Sequence, residues 1–360
     1  MGEGHLIVKS VPLLSVSFSI VSPRLKPLLQ WATGLLLALA CASASAITTT
    51  ELALVINTDD PLSLALGAHY QTARGIPARN VLRVRLGAPR AVLPPDDFAR
   101  VWEQTQNSLP ASIQAYALAW TLPYRVGCMS ITTAFAMGYG TRFCAEGCKP
   151  TAPNPLYDQA SRAPYSDFRV RPAMLLAAST LENGRQLIAR GVQSDGLQPQ
   201  GRAYLVRTPD QARSSRAPGF AFIRNALGAR LPIEIVASKG IRQRFDVLFY
   251  FTGTTHVPYL QTLGFLPGAV GDHLTSAGGQ LDGTGQMSAL RWLEAGATGS
   301  YGAVVEPCNF PQKFPNPGLM MQYYLDGNTL IEAYWKSVIW PGQGVFIGEP
   351  LAAPFAVREN

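Results

Sequence analysis

The chain has 360 residues, of which 47% are hydrophobic and 15% charged, and its formal net charge is +7. This balance is typical of a folded globular core and excludes a disordered chain. The basic residues are scattered rather than grouped in a stripe, so no nucleic-acid groove is indicated. We therefore expect a folded protein with no nucleic-acid partner.

The beginning of the chain has the pattern of a secretory signal peptide. Arg24 and Lys26 precede an apolar run at 35–40, and small residues lead to a cleavage site after Ala46. Processing as a lipoprotein at Cys41 is the alternative. No later segment reaches the ~20 apolar residues that a membrane-spanning helix needs. The sequence therefore predicts a secreted or periplasmic protein without a membrane span after cleavage.

Residues 1–46 form the predicted signal peptide, and residues 47–360 are long enough for one large domain. In this domain apolar segments alternate with segments of helical periodicity, which predicts an α/β fold with a mostly parallel sheet and helices on both faces. The predicted strands are 52–56, 81–86, 115–120, 173–178, 203–206, 233–236, 247–251, 301–305 and 345–347. The predicted helices are 61–74, 97–107, 180–192, 287–295 and 330–338.

Capping residues support several of these helices. Asp60 can cap the first helix and Gly75 can end it. Capping boxes are predicted for two later helices, from Ser179 with Glu182 and from Thr329 with Glu332.

Residues 123–172 interrupt the alternation with a segment rich in Pro, Gly, Tyr and Arg, which indicates a functional excursion from the domain. The cysteines beyond residue 46 are Cys128, Cys144, Cys148 and Cys308. An even number in an exported protein favours disulfides. We predict a local Cys144–Cys148 bridge, with Cys128 and Cys308 either paired with each other or free. No His lies near this pair in the sequence, so we predict no metal site.

Candidate catalytic residues follow two strands near the C-terminus, where open α/β sheets form sites. His256 follows the predicted strand 247–251 and could act as a general base. Cys308 follows the strand 301–305 and could be a nucleophile that His256 activates. Glu306 could orient the base or bind a cation. A loop-stabilising role is the alternative for His256.

Between these strands lies a second group of candidates, in the segment GAVGDHLTSAGG. Asp272 and His273 could take part in proton transfer, and Ser276 is an alternative nucleophile. The backbone amides of Gly278 and Gly279 are unobstructed by side chains and could bind an oxyanion. A tight glycine turn capped by Asp272 is the structural alternative.

Several common motifs are missing from the sequence. It has no P-loop, no GxGxxG after the first strand, no GxSxG and no HExxH. Nucleotide-dependent chemistry and the commoner hydrolase classes therefore lose support, and we predict no cofactor.

Long blocks of the chain resemble a family of exported bacterial proteins that occurs in species carrying the exosortase protein-sorting system. The resemblance spans essentially the whole predicted mature chain, and it implies export but no particular activity. The blocks are ARGIPARNV (73–81), PYRVGCMSITTAF (123–135), GAVGDHLTSAGGQL (268–281), ATGSYGAVVEPCNF (297–310), EAYWKSV (332–338) and QGVFIGEPLAAPF (343–355).

The order of motifs is also similar to that of gingipain-type cysteine peptidases, which have a caspase-like α/β fold. AASTLENGRQLI (177–188) resembles their strand-turn-helix, GTTH (253–256) resembles the approach to their catalytic His-Gly, and GEP (348–350) resembles their closing Gly-Asp-Pro. Their nucleophile segment aligns with LTSAG (274–278), which contains no cysteine. The resemblance implies the caspase-like sheet, while this departure weakens the case for peptidase activity.

Two functions remain open from the sequence. The preferred one is a non-catalytic caspase-like relative that binds a peptide or polysaccharide during envelope or surface assembly. The alternative is a peptidase-like hydrolase with His256 as the base and either Ser276 or Cys308 as the nucleophile.

Overall fold

In the part of the chain that the structure describes, ten strands form a central β-sheet and three short strands form a second, small sheet. The computed structural model describes Met1 and residues 46–145, 148–283 and 285–357. The predicted signal sequence lies outside the described residues, except for its end residues Met1 and Ala46. Cys41 is also outside them. The strands are β1 Leu52–Asn57, β2 Val81–Val84, β3 Val92–Leu93, β4 Ala115–Leu118, β5 Arg125–Val126, β6 Met129–Ser130, β7 Ala173–Leu175, β8 Arg202–Arg207, β9 Ile233–Ala237, β10 Val247–Gly253, β11 Phe265–Leu274, β12 Gly299–Ala303 and β13 Gly344–Gly348.

In the large sheet the strand order is β2-β1-β4-β7-β13-β12-β11-β10-β8-β9. From β2 to β7, and again from β12 to β9, neighbouring strands in this order pair in parallel. Between these two groups, β13 runs antiparallel to β12 and meets β7 at the single pair Ile347–Leu175. All residues of β1, β4, β7, β10, β12 and β13 are buried. Such uniform burial is expected for strands that helices cover on both faces. The predicted mostly parallel α/β fold is confirmed.

Helices cover both faces of this sheet. One face packs against side chains of the helices α1, α6, α8 and α9, and the other against α2, α3 and α7. The α-helices are α1 Pro61–Arg74, α2 Pro95–Ser108, α3 Ile131–Met137, α4 Pro164–Phe168, α5 Leu181–Ser194, α6 Phe220–Leu227, α7 Leu290–Glu294, α8 Pro317–Leu325 and α9 Leu330–Lys336. Short 3₁₀ turns occupy Ala78–Asn80, Thr141–Phe143, Ala217–Gly219, Leu260–Thr262, Pro311–Lys313 and Pro341–Gln343.

The ends of α1 and α9 follow the sequence. The Asp60 side chain accepts a hydrogen bond from the Leu62 N–H at 2.9 Å, and Gly75 ends α1 with a φ of 63°. At the start of α9, Thr329 and Glu332 form the predicted capping box.

The capping box predicted from Ser179 and Glu182 is wrong. Helix α5 begins at Leu181, so Thr180 is its N-cap and accepts a hydrogen bond from the Asn183 N–H at 3.1 Å. Ser179 lies one residue too early, and its Oγ accepts instead from Asn183 Nδ2 at 2.8 Å. A threonine directly after a serine made the capping position ambiguous in the sequence.

Eight elements among the described residues were not predicted, namely the strands β3, β5, β6 and β11 and the helices α3, α4, α6 and α8. The segment of β11 contains a proline and two glycines, which normally weaken a strand. It is nevertheless a strand because β10 and β12 pair with it on both sides. Its Gly271 is required, since a Cβ there would collide with the Trp292 indole.

A buried charged network joins the end of β13 to α1. Glu349 forms an ion pair with Arg74 and accepts hydrogen bonds from Arg74 Nε at 3.0 Å and from the Tyr70 hydroxyl at 2.6 Å. Arg74 also pairs with Asp195 after α5. Glu349 is inaccessible to solvent and the Arg74 side chain is only 7% exposed. The network therefore links α1 and the end of α5 to β13, the last strand along the chain.

No helix among the described residues is long and apolar enough to cross a membrane. The described residues from 46 onwards belong to one compact unit.

We expect Arg74→Met to destabilise the fold by about 3–5 kcal/mol, because it leaves the Glu349 carboxylate buried without its cation. Urea unfolding followed by circular dichroism measures this loss. Arg85→Met is the matched control, since Arg85 also pairs with an aspartate but its side chain is 84% exposed, and it should change stability little. Equal losses in the two variants would contradict the role of the buried network.

Candidate functional site

The candidate catalytic and oxyanion residues lie at the carboxyl end of β11 or in the loops after β10, β11 and β12. These three strands are mutually parallel, so their carboxyl ends share one edge of the sheet. The loop after β4 reaches the same edge, where the Tyr124 hydroxyl donates to Asp282 Oδ1 at 3.2 Å. Open α/β sheets place ligand sites at such edges.

Asp272 and His273 are consecutive on β11 and therefore point to opposite faces of the sheet. Asp272 is inaccessible to solvent and its Oδ1 lies 2.6 Å from Arg216 Nη2. That guanidinium also donates to the carbonyl oxygens of Thr252 at 2.7 Å and Pro315 at 3.2 Å. Burial raises the pKa of Asp272, and the Arg216 charge opposes this.

The Asp272 carboxylate is held by charge rather than by a hydrogen-bond network. Neither of its oxygens accepts a well-aligned hydrogen bond among the described residues. The contact with Arg216 Nη2 at 2.6 Å is a buried ion pair. Asp272 cannot orient His273, which lies on the other face.

His273 is buried with both ring nitrogens engaged. Nδ1 accepts a hydrogen bond from the Trp292 indole N–H at 2.9 Å. Nε2 must then carry the proton, which it donates to the Met287 carbonyl at 2.9 Å. Burial lowers the pKa of His273 to about 4. The ring is thus a neutral group that positions Trp292, and it has no free nitrogen for proton transfer.

The two glycines after Ser276 allow a close approach between loop and strand. A Cβ on Gly279 would collide with the Gly302 backbone of β12, and a Cβ on Gly302 would collide with Gly278. The Gly279 N–H donates to the Ala303 carbonyl at 2.8 Å, so it is not available to bind an oxyanion. Ser276 is half-buried, and its side chain makes no hydrogen bond among the described residues.

The disulfides differ from the predicted local bridge. Cys128 pairs with Cys144, and Cys148 pairs with Cys308, at Cα–Cα distances of 5.4 and 5.2 Å. The Cys144–Cys148 bridge was wrong because the β5–β6 hairpin brings Cys128 beside the loop that ends at Cys144, where Cys128 Sγ also lies 3.5 Å from the Tyr139 hydroxyl. A sulfur in a disulfide forms no thiolate, so the oxidised Cys308 is not a nucleophile.

Glu306 stabilises the turn that carries Cys308. Its Oε1 accepts a hydrogen bond from the Cys308 N–H at 2.7 Å. Cys308 and Asn309 both have left-handed backbones, with φ of 56° and 55°. Within the described residues no group of three or more His, Cys, Asp or Glu side chains could hold a metal ion.

His256 is exposed and lines a shallow depression of about 360 Å³. Neither Ser276 nor Cys308 lines this depression, so it does not join the base to a candidate nucleophile. Its other lining residues are Thr208, Pro209, Asp210, Lys239, Thr254 and Pro258.

A larger cleft, of about 410 Å³, lies between α6 and the segment 311–319 that leads into α8. Arg216 lines it and donates to the Thr252 carbonyl, which places the cleft beside the carboxyl end of β10. Sequence reasoning missed this cleft and Arg216. The available signal was the run FPQKFPNPG after β12, since a long loop rich in proline and phenylalanine suggests a functional segment.

Comparisons with known proteins show the fold. No protein-family model matches the chain, and no curated protein matches its sequence. The structure is similar to that of the Arg-specific cysteine proteinase gingipain R, with a TM-score of 0.50 and 8% identity, over 85% of this chain and 78% of that one. A structure described as a protease has a TM-score of 0.41 and 12% identity, over 86% of this chain and 79% of that one.

At 8% identity the first similarity supports the architecture and not an activity. The predicted caspase/gingipain-like fold class is therefore confirmed.

His273 should make the stability depend on pH in a defined window. Its pKa in the folded protein is about 4, below the ordinary value of 6.5, so the unfolded chain binds the proton more readily. Its contribution is fully present above the unfolded pKa and is lost as pH falls towards 4. The resulting decrease in the free energy of unfolding reaches about 3 kcal/mol at the low-pH end of this window.

We expect His273→Gln to remove this component, so that urea midpoints fall less between pH 6.5 and pH 4 than in the wild type. His256→Gln is the control for the loss of an exposed histidine. Parallel profiles for His273→Gln and the wild type would exclude the buried neutral imidazole.

Proposed function

We propose that the protein is a non-catalytic relative of the caspase-like peptidases and binds a peptide or polysaccharide in envelope or surface assembly. The observation that carries this proposal is the disulfide between Cys148 and Cys308. It removes the cysteine that could have served as nucleophile, and the position aligned with the peptidase nucleophile contains no cysteine.

The surroundings of the other candidates also support binding over catalysis. Covalent catalysis needs a nucleophile within hydrogen-bond reach of a base, and a donor for the developing oxyanion. His273 and Asp272 are engaged by Trp292 and Arg216 on opposite faces of β11. The Gly279 amide is bonded to the sheet.

Export is part of the proposal. Two disulfides are typical of proteins that fold outside the reducing cytoplasm. The secreted or periplasmic location and the association with exosortase-carrying species rest on the sequence patterns of the leader and of the long blocks. Detection of the mature N-terminus in a periplasmic or culture fraction tests the location.

One alternative keeps a specific observation in its favour. His256 is exposed, and the Ser276 side chain has no hydrogen-bond partner among the described residues. A hydrolase would need these two groups to approach each other when substrate binds.

Labelling separates the two functions. We expect a fluorophosphonate probe to leave Ser276 unmodified, and iodoacetamide to modify Cys308 only after reduction, with both sites mapped by mass spectrometry. The reason is that Ser276 lacks an engaged base and Cys308 lacks a thiol.

The control variants are Ser276→Ala and His256→Gln. Labelling of Ser276 that disappears in both variants would establish the hydrolase and overturn the proposal. Alkylation of Cys308 in the native, unreduced protein would overturn it as well.

A further inference from the structure

The cleft between α6 and the segment 311–319 has the size and walls of a ligand site. Its volume of about 410 Å³ falls within the roughly 300–1,000 Å³ of typical ligand pockets. Proline, phenylalanine and aliphatic side chains dominate its walls. Among them are Phe222, Ile223, Phe314, Pro315 and Leu319.

Phe222 marks one wall of this cleft. It is 77% exposed, although the next residue on α6, Ile223, is buried in the core. Exposed aromatic side chains beside an apolar concavity commonly serve as binding anchors. Phe245 is similarly exposed, at 73%, but does not line the cleft.

Two polar atoms in the walls lack partners. Ser215 Oγ and Gln312 Oε1 are shielded from solvent and make no hydrogen bond among the described residues. A shielded polar atom without a hydrogen bond destabilises the protein, and a ligand that supplies the bond removes this cost. The Gln312 side chain is long enough to turn its oxygen towards an occupant. The backbone N–H groups of an extended peptide are donors with suitable spacing.

The charge of the cleft restricts its occupant further. No acidic residue lines it, and its one charged group is Arg216, which faces Asp272. The first amides of α8 are already bonded to Asn316 Oδ1, at 2.9 and 3.3 Å. The cleft is therefore unsuited to a basic side chain, and the helix N-terminus is not open to a free anion.

We infer that this cleft binds an extended segment of a partner protein, with an aliphatic or aromatic side chain packed against Phe222. Gln312 and Ser215 accept hydrogen bonds from the backbone of that segment. This inference rests on the proposed binding function. It selects a peptide over a polysaccharide, because more than half of the lining is apolar and the polar groups of Arg216, Asn316 and Ser337 are already bonded within the protein.

Fluorescence polarisation with capped decapeptides tests the inference. The probes share one neutral sequence and differ only in a central Leu, Phe, Gly or Lys; neutral dextran oligosaccharides provide the carbohydrate comparison. We expect the Leu and Phe peptides to bind roughly tenfold more tightly than the Gly and Lys peptides. Phe222→Ser should weaken this binding by a similar factor, whereas Phe245→Ser should not.

Gln312→Met provides a second measurement that a purely structural role would not reproduce. It removes an unsatisfied acceptor, so we expect an unchanged or higher Tm together with weaker peptide binding. Equal binding by wild type and Phe222→Ser, binding of the oligosaccharide instead, or no peptide binding at millimolar concentration would each overturn the inference.

Mass spectrometry of the same peptides reports on the proposed function separately. Intact peptides that bind through Phe222 support both conclusions. Cleaved peptides would overturn the non-catalytic function while the variants still decide the location of the site.

Discussion

The position of β11 between β10 and β12 determines how the candidate site is built. Its side chains alternate between two apolar layers, so the consecutive residues Asp272 and His273 are held apart by the sheet itself. Each needs its own buried partner, since an uncompensated charge or an unsatisfied ring nitrogen in such a layer is costly. Arg216 supplies the compensation on one face and Trp292 on the other. The two most reactive-looking neighbours in the sequence thus serve the core.

The loops at the carboxyl ends of β11 and β12 are also fixed by their contacts with the rest of the fold. The loop after β11 closes onto β12 through Gly278, Gly279 and Gly302, and the amide of Gly279 becomes part of the sheet. The loop after β12 is held by the Cys148–Cys308 disulfide and by the Glu306 turn. These contacts commit Asp272, His273, the Gly279 amide and Cys308 to structural roles, whereas the His256 side chain stays exposed. What remains open at this edge is surface shape, in the depression beside His256 and in the cleft beside Phe222.

The stability of this architecture comes from its scaffold and not from the groups at the carboxyl edge. The sheet and its helices depend on apolar burial and on buried pairs such as Arg74 with Glu349. Neither requires a nucleophile at the carboxyl edge. Loops at that edge can consequently vary while the scaffold stays unchanged.

Local rules in the sequence determined much of the scaffold. Continuous apolar runs defined the strands β1, β4 and β10, while Asp60, Gly75 and the pair of Thr329 and Glu332 defined helix ends, because capping and burial on both faces depend on neighbouring residues. The strand β11 could not be predicted, since its proline and glycines are tolerated only through its two partner strands and the Trp292 indole. The cysteine pairing, the separation of Asp272 from His273 and the cleft beside Arg216 were decided by tertiary structure. Each depends on which distant segments meet, and a single sequence does not record those contacts.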